Sequence, residues 1–301
     1  PRPLSDIMAG ESVEVTVLGN AQDGGYPQVG CMKDCCRKAR EKPGLSRMPV
    51  SLGLKGADRS THVFEASRMM SQQFDLWSSL GEVLWPPSSF CLTHAHLGHI
   101  DGLGLLGREA MGLRGVKVHC SDSMSSFVRQ TPSLNILIEQ GVIDLHVWNP
   151  MEEFELTEGC GFTVTAVPIP HRSELSDNHA LIIRGPTKSL LFMPDHDSWA
   201  GTLIGDLGIT QWLKEMKIDI ALIDGTFWDY GEISHRDITE IPHPTVTETL
   251  GRLGEKNIGD PDIYFTHFNH TNPLFSERSI QTKKLLSMGW RVSEQGSVYY
   301  L

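Results

Sequence analysis

Three histidines within six residues, directly after a short apolar run, constrain this chain more than any other feature of its sequence. The run 89–92 reads as a buried strand and leads into His94-x-His96-x-x-His99. Alternate side chains of an extended turn allow His94 and His96 to converge on one ion, while His99 enters from the next turn toward a neighbouring ion. Imidazole suits zinc and other borderline metals, including iron and manganese. The spacing therefore predicts a metal site, and a solvated histidine-rich loop is the alternative.

Further candidate ligands share one placement, each at the end of an apolar strand-like run. They are His171, Asp195 and His267. Strand ends are where α/β folds assemble their sites. A buried carboxylate must be paired, hydrogen-bonded or metal-bound, because an isolated buried charge is too costly. Asp195 therefore fits a bridging metal ligand, with a helix cap or salt bridge as its alternative. Asp224 ends another such run, but for this residue a helix cap or a turn is as good an explanation as a metal ligand.

Short β-branched runs alternate with amphipathic windows along the chain. Strands are predicted at 13–17, 63–65, 90–93, 116–120, 162–168, 180–184, 190–193, 218–223 and 263–265, and helices at about 66–80, 101–112, 209–216, 245–253 and 276–287. No linker, internal repeat or low-complexity tract interrupts them, so the prediction is one domain over residues 1–301. Helices that flank sheet material predict an α/β layered domain, with a parallel doubly wound sheet and an antiparallel sandwich both open.

The charge balance disfavours nucleic acid as a partner. The chain has 26 Lys and Arg against 37 Asp and Glu, a net charge of −11, which repels polyanions and anionic membranes. No apolar stretch approaches the roughly 20 residues that cross a bilayer, and residues 1–6 contain no apolar signal segment. We therefore expect a cytoplasmic protein with a small-molecule substrate and no membrane association. A homodimer and a trimmed targeting segment stay open.

The order and spacing of the histidines and of Asp195 resemble the metallo-β-lactamase superfamily over most of the chain. The residues concerned are His94, His96, His99, His171, Asp195 and His267. Within the superfamily, the segments 19–25, 224–228 and 269–273 are similar to the pyrroloquinoline-quinone biosynthesis protein B group. The cluster of cysteines at 31, 35 and 36 and the pair His267-x-x-His270 resemble a phosphonate-pathway cyclic phosphodiesterase that carries an extra structural zinc.

The resemblance implies an αββα sandwich, in which two mixed β-sheets lie face to face with helices on the outer faces and metal at one edge. It also implies the ligands of two metals. The first would be held by His94, His96 and His171, and the second by His99, Asp195 and His267, with Asp195 bridging.

One ligand that the resemblance implies is missing. The superfamily's usual aspartate, directly before the last histidine of the first motif, is Gly98 in this chain, and glycine contributes no ligand. Three repairs are conceivable: Asp101 reaches back, His196 or Asp197 substitutes, or the site holds one tight metal and a weak or absent second one. If the second site lacks only that carboxylate, Gly98→Asp is expected to raise the metal stoichiometry or the turnover.

The clustered cysteines predict a separate structural site. Cys31, Cys35 and Cys36 lie within six positions, and without a secretion signal such a cluster favours metal binding over a disulfide network. His270 would complete the four ligands of a closed zinc site. Adjacent side chains tend to point apart, so Cys35 or Cys36 is a candidate bystander, and free buried thiols are the alternative.

These sites predict hydrolysis as the leading function. A metal held by three histidines with an open position activates water and polarises an ester, lactone or phosphoryl oxygen. We predict a metal-dependent hydrolase of a phosphodiester or ester-like small molecule, with one or two zinc ions, or iron or manganese, at its active site.

The predicted catalytic side chains are Asp195, Asp101, Arg172 and His243; for the last two, a surface salt bridge and a turn are the alternatives. Two other functions stay open. One is an iron-dependent oxygenase-like or other step in quinone-cofactor biosynthesis, and the other is a non-catalytic, metal-stabilised binding protein.

Overall fold

The strands of this chain form two mixed β-sheets. The computed structural model describes residues 12–203, 207–232 and 241–301. In chain order the strands are β1 (Glu14–Gly19), β2 (Ser51–Lys55), β3 (Thr61–Phe64), β4 (Ser89–Cys91), β5 (Val116–Cys120), β6 (Ile143–Val147), β7 (Glu153–Phe154), β8 (Thr163–Pro168), β9 (His179–Arg184), β10 (Ser189–Met193), β11 (Ile220–Asp224), β12 (Asp262–Thr266), β13 (Arg291–Val292) and β14 (Val298–Tyr300). Among the described residues, one sheet has the order β14-β1-β2-β3-β4-β5-β6 and the other β13-β12-β11-β10-β9-β8-β7.

Each sheet contains a block of four neighbouring parallel strands. These blocks are β3 to β6 in the first sheet and β10 to β13 in the second, and the remaining pairs are antiparallel. The carboxyl ends of parallel strands lie at one edge of a sheet, so the loops that follow them leave from the same edge. Most of the candidate ligands lie in these loops.

The side chains of the central strands alternate between two apolar layers. In β10, Leu190 and Phe192 belong to the core between the sheets, whereas Leu191 and Met193 belong to the core beneath the helices. The rings of Phe64 and Phe192 lie 6.3 Å apart and join the two sheets. Two mixed sheets packed face to face with helices outside confirm the αββα sandwich.

The helices are mostly short. They are α1 (Asp34–Glu41), α2 (Met70–Leu80), α3 (Leu97–Ile100), α4 (Asp122–Gln130), α5 (Pro132–Glu139), α6 (Trp199–Thr202), α7 (Ile209–Glu215), α8 (Val246–Leu253) and α9 (Ile280–Ser287), with 3₁₀ turns at Pro43–Leu45, Asp101–Leu106 and Pro273–Phe275. Three of them, α7, α8 and α9, bury Leu213, Leu250 and Leu285 in the core on the outer face of the second sheet. No helix of the described residues is long and apolar enough to cross a bilayer.

The structure corrects one predicted helix and adds elements that were not predicted, among them strand β2. The predicted helix at 101–112 is wrong, because the chain forms the short 3₁₀ turn Asp101–Leu106 and then a loop. Gly102 packs so tightly that a Cβ atom there would lie 2.3 Å from the carbonyl oxygen of Ser67. Strand β2 was not predicted, because Gly53 interrupts its apolar pattern. A Cβ atom built on Gly53 would lie 2.6 Å from the Trp77 ring. Residues 1–6 lie outside the described residues, and the single domain over 1–301 stays a prediction.

Candidate metal centre

Three histidines from two loops bring one ring nitrogen each to a common point: His94 and His96 from the segment after β4, and His171 from the segment after β8. Nε2 of His94 lies 2.9 Å from Nδ1 of His96, which lies 3.1 Å from Nε2 of His171. Nitrogen ligands of a tetrahedral zinc ion, about 2.0–2.1 Å from the metal, are separated by roughly 3.3 Å. The spacing of the three nitrogens therefore fits one ion. The His96 side chain keeps 14% of its surface exposed, so this cluster is open on one side.

A second cluster adjoins the first through Asp195. Oδ2 of this carboxylate lies 2.9 Å from Nε2 of His99 and 3.3 Å from Nε2 of His267, while Oδ1 lies 3.9 Å from Nε2 of His171. Asp195 thus spans both clusters, as a bridging ligand would. His267 has a φ of 60°, a left-handed conformation that costs a non-glycine residue about 1–3 kcal/mol and is concentrated at functional sites.

In each histidine of the two clusters, the ring nitrogen that is not directed at the cluster faces a polar side-chain atom. The partner atoms are Thr93 Oγ1 for His94 (2.9 Å), Glu174 Oε1 for His96 (3.1 Å), Glu65 Oε1 for His99 (3.5 Å), Asp197 Oδ1 for His171 (2.8 Å) and Thr226 Oγ1 for His267 (2.9 Å). Such partners fix the tautomer and the orientation of ligating imidazoles. For His96 and His171, whose partners are carboxylates that accept the ring hydrogen, the arrangement leaves one lone pair directed into the first cluster.

Buried polar atoms in the second cluster support a cation there. Asp195 Oδ2 and His267 Nε2 lie 3.3 Å apart, yet neither makes a hydrogen bond to the described residues. An unsatisfied buried polar atom costs about 1–3 kcal/mol. A metal ion that accepts both lone pairs would remove this cost, so the residues present fit a metal.

The local electrostatics favour the ligating protonation states of His94 and Asp195, whereas at His99 the effect of burial is outweighed by the Glu65 and Asp195 carboxylates, which raise the pKa of this imidazole well above its usual range. Burial, together with the neighbouring His99 imidazole, holds the pKa of His94 well below its usual range. Neutral imidazole is the form that binds metal. Burial opposes ionisation of Asp195, but the imidazoles of His267 and His99 outweigh it and hold the pKa of this carboxyl well below its usual range.

His243 and Asp224 form a buried pair beside the clusters. Nδ1 of His243 donates to Oδ2 of Asp224 at 2.6 Å, and the His243 ring lies 5.7 Å from the ring of His171. Asp224 Oδ1 accepts the Thr226 amide at 2.9 Å, so both carboxylate oxygens are engaged within the protein. Burial alone would lower the pKa of His243, but the Asp224 carboxylate raises it. His243 Nε2 is buried and has no hydrogen-bond partner among the described residues.

Arg172 lies at the same edge of the sandwich, directly after His171. Its Nε is buried without a hydrogen-bond partner in the described part of the chain. Its positive charge acts on both His96 and His243. The guanidinium is therefore near enough to both imidazoles to lower their pKa values.

The proposed repairs for Gly98 do not reach the clusters. Asp101 pairs its Oδ2 with the Arg68 guanidinium at 2.7 Å and belongs to none of the donor clusters of the described residues, so the structure adds no support to its predicted catalytic role. Asp197 is engaged with Nδ1 of His171. His196 packs its ring 4.5 Å from Trp199 in the helix-side core.

Two carboxylates near the clusters were missed in the sequence. Asp23, in the loop after β1, places Oδ1 3.5 Å from Nε2 of His99 and 3.6 Å from Nε2 of His267. Glu65, directly after β3, is fully buried and faces His99. Each is an acidic residue in a segment that follows a strand, which is the signal that identified Asp195. A side chain at Gly98 would collide with Asp23, so the geometry argues against the gain expected from Gly98→Asp alone.

The clustered cysteines and His270 form the second candidate metal site. Cys35 Sγ lies 3.9 Å from Cys31 Sγ and 4.0 Å from Cys36 Sγ, and His270 Nδ1 lies 3.6 Å from Cys35 Sγ and 3.2 Å from Cys36 Sγ. Tetrahedral zinc with Zn–S of about 2.3 Å separates its sulfur ligands by roughly 3.8 Å. The four donor atoms lie within 4.8 Å of one another, so neither Cys35 nor Cys36 is the expected bystander.

This site joins the segment that follows β1 to the loop that follows β12. The Gln28 amide donates to Cys36 Sγ at 3.3 Å, and Tyr26 stacks on Phe275 at 4.5 Å beside it. Burial raises the pKa of the Cys36 thiol to about 12. Because metal ligation requires the thiolate, an ion here would release a proton that burial otherwise retains.

Removal of the Asp197 carboxylate is expected to weaken metal binding at the first cluster. Asp197→Ala leaves Nδ1 of His171 without the acceptor that fixes its tautomer, and loss of such a partner costs about 10–100-fold in metal affinity. Competition with a chromogenic zinc chelator measures this change. Asp197→Asn keeps an acceptor oxygen and is the matched control. Equal affinities of the alanine variant and the native chain would contradict the assigned role.

A comparison with known proteins identifies the family. Residues 69–268 match the family model described as a beta-lactamase superfamily domain. The chain belongs to the beta-lactamase superfamily. The match begins just before α2 and ends at Phe268, so it contains His94, His96, His99, His171, Asp195 and His267.

Relatives of this beta-lactamase superfamily member include proteins named Coenzyme PQQ synthesis protein B. The protein of Nitrosococcus oceani is 25% identical and the match covers 94% of this chain and 98% of the relative; for Gluconobacter oxydans the values are 26%, 96% and 99%. The resemblance to the superfamily and to this group is confirmed.

Solved structures share the fold. Zn(2+)-bound PqqB from Methylobacterium extorquens matches with a TM-score of 0.75 and 20% identity, covering 96% of this chain and 100% of that chain. A diphosphatase from the PhnP family matches with a TM-score of 0.66 and 19% identity, covering 96% of this chain and 97% of that chain.

Proposed function

We propose that this beta-lactamase superfamily member is a metal-dependent hydrolase of a phosphodiester or ester-like small molecule. The observation that carries the proposal is the pair of adjacent donor clusters, open beside His96, with Asp195 between them. Zinc bound there would lower the pKa of a coordinated water and polarise a phosphoryl or carbonyl oxygen.

The donor sets assign which residues would hold zinc. His94, His96 and His171 would hold the first ion, and Asp195 would reach both ions from between the clusters. His99 and His267 would hold the second ion. The Zn(2+) in the related PqqB structure supports zinc as the resident metal, and imidazole and carboxylate donors also suit iron and manganese.

His243 is proposed as the general acid. Its Nδ1 is held by Asp224, so the imidazole has one orientation and its positive form is stabilised. Its Nε2 is free of protein partners among the described residues and can carry a proton to a departing oxygen. Arg172 is proposed to bind the negative charge of the substrate, which favours a phosphodiester over a neutral ester.

His243→Gln is expected to lower kcat in a way that depends on the leaving group. For a substrate with a poor alkoxide leaving group, loss of the proton donor costs about 10²–10⁴-fold. For a nitrophenyl ester, whose leaving group departs unprotonated, the loss is expected to be small. Steady-state kinetics with both substrates measure the difference. The same loss on both substrates, at unchanged metal content, would remove the general-acid role.

A substrate panel tests the proposed function itself. Phosphodiesters, phosphomonoesters, carboxylic esters and lactones are incubated with protein that has been stripped of metal and reloaded with zinc, manganese or iron. We expect hydrolysis of a phosphodiester that depends on the added metal. We also expect the KM of anionic substrates to be lower than that of neutral ones, and to rise in Arg172→Ala. Absence of metal-dependent hydrolysis across the panel would refute the proposal.

A step in quinone-cofactor biosynthesis is the second candidate. It is favoured by the similarity to Coenzyme PQQ synthesis protein B, which covers 94–96% of this chain. Iron in the anaerobically purified protein together with substrate-dependent oxygen uptake would support an oxygenase-like step instead of hydrolysis. The non-catalytic alternative rested on Gly98 alone, and the position of Asp23 weakens that argument.

A further inference from the structure

The geometry assigns to Asp23 the carboxylate ligand of the second metal that helix α3 does not provide at Gly98. This inference rests on the proposed metal centre, and it gives that centre a ligand from a different part of the chain. The ligand would come from the loop after β1, which lies outside the residues matched by the family model.

The carboxylate of Asp23 occupies the volume that a side chain at position 98 would fill. A Cβ atom built on Gly98 would lie 2.1 Å from Asp23 Cγ, 2.3 Å from Oδ1 and 2.5 Å from Cβ. Carbon atoms in van der Waals contact are about 3.5–4.0 Å apart, so the two side chains exclude each other. A side chain at position 98 and the Asp23 carboxylate therefore compete for the same volume.

The backbone conformation does not explain the glycine. Gly98 lies in α3 and is absent from the residues with positive φ, so any L-residue could adopt its backbone geometry. Space is what restricts the position. The presence of Asp23 and the absence of a side chain at 98 are thus one structural feature.

Asp23 is directed at the donors of the second cluster. Its Oδ1 lies 3.5 Å from Nε2 of His99 and 3.6 Å from Nε2 of His267, and both nitrogens also lie close to Asp195 Oδ2, at 2.9 and 3.3 Å. Nitrogen and oxygen ligands of one tetrahedral ion at about 2.0–2.2 Å are separated by roughly 3.4 Å. Each of the two imidazole nitrogens therefore lies close to one oxygen of Asp23 and one oxygen of Asp195. Imidazole and carboxylate donors suit zinc, manganese or iron.

Backbone hydrogen bonds hold the Asp23 loop against the His267 segment. The Gln22 amide donates to the Phe268 carbonyl at 2.8 Å, and the Phe268 amide donates to the Asn20 carbonyl at 2.9 Å. Gln22 precedes Asp23 in the chain and Phe268 follows His267, so these bonds lie directly beside the two candidate ligands. The position of Asp23 is therefore fixed by the same contacts that position His267, as a ligand site requires.

Zinc titration of four variants tests the assignment. Metal-stripped protein is titrated with Zn²⁺ and its stoichiometry and affinities are measured by calorimetry and elemental analysis. We expect Asp23→Gly and the isosteric Asp23→Asn to weaken the last-filled site at the histidine clusters by at least about 100-fold. Gly98→Asp alone is expected to lower Tm, because the two carboxylates compete for one volume. The double variant Asp23→Gly/Gly98→Asp is expected to regain the native stoichiometry.

Asp101→Ala is the matched control, since it removes a carboxylate three residues from Gly98 that pairs with Arg68, and its zinc binding is expected to equal that of the native chain. Native zinc binding in Asp23→Asn, or a folded double variant that does not recover the site, would overturn the inference. So would a native chain whose second cluster takes up no zinc. The titration needs no substrate, so failure of the hydrolase proposal on the substrate panel leaves this result standing by itself.

Discussion

His94→Ala and His171→Ala are each expected to abolish hydrolysis while the cysteine site stays loaded. Each substitution removes one of the three nitrogens that lie about one zinc-ligand spacing apart. A metal's stabilisation of transition-state charge is worth several kcal/mol, which corresponds to a loss on the order of 10³-fold or more in kcat/KM. Elemental analysis is expected to show less zinc per chain than in the native protein, with the zinc at the cysteines unchanged.

The matched control is a histidine outside the clusters. His146 lies on β6, its side chain is 37% exposed and it pairs with Asp144 at 3.0 Å. His146→Ala is expected to keep both metal content and hydrolysis. Metal-dependent activity that persists in both cluster variants would show that the chemistry takes place elsewhere in the molecule.

Cys36→Ser is expected to cost the protein one zinc ion and a large part of its thermal stability. Cys36 is fully buried and its Sγ lies 3.2 Å from His270 Nδ1, so the site connects residues 234 positions apart. An ion present at 100 to 1,000 times its Kd stabilises the folded state by about 3–4 kcal/mol. For a chain of this size such a loss lowers Tm on the order of 5–10 °C, measured by calorimetry at fixed free zinc.

The control for Cys36 is a buried cysteine without metal-site neighbours. Cys160 donates its thiol hydrogen to the Phe162 carbonyl at 3.2 Å, and a serine hydroxyl can replace this bond. Cys160→Ser is expected to retain its zinc. If Cys36→Ser also retains the native zinc content, the structural site is refuted, whatever happens to Tm.

The sequence predicted the histidines of the site because their signal is local. Each follows a strand-like run, and the carboxyl ends of strands that run in the same direction meet at one edge of a sheet. Asp23 carries the same signal after β1, but nothing local indicates that its side chain occupies the volume above Gly98. That relation joins positions 23 and 98 and exists only after both sheets are packed.

The fold was predicted where burial is continuous and missed where packing is unusual. Strands such as β10 and β11 read directly as apolar runs, since both of their faces are covered. In strand β2, the Trp77 ring fills the space that a side chain at Gly53 would need. This pairing of a small residue with a large one is visible only in the packed structure.

The donors of the clusters are divided between the two layers of the sandwich. Asp23 and His94 follow strands of the first sheet, whereas Asp195 and His267 follow strands of the second. Ions held by these donors would cross-link the layers, so a relative slide of the two sheets would move the ligands of one ion apart. Phe64 and Phe192, whose rings pack across the interface between the sheets, therefore help to set the relative positions of donors that come from different sheets.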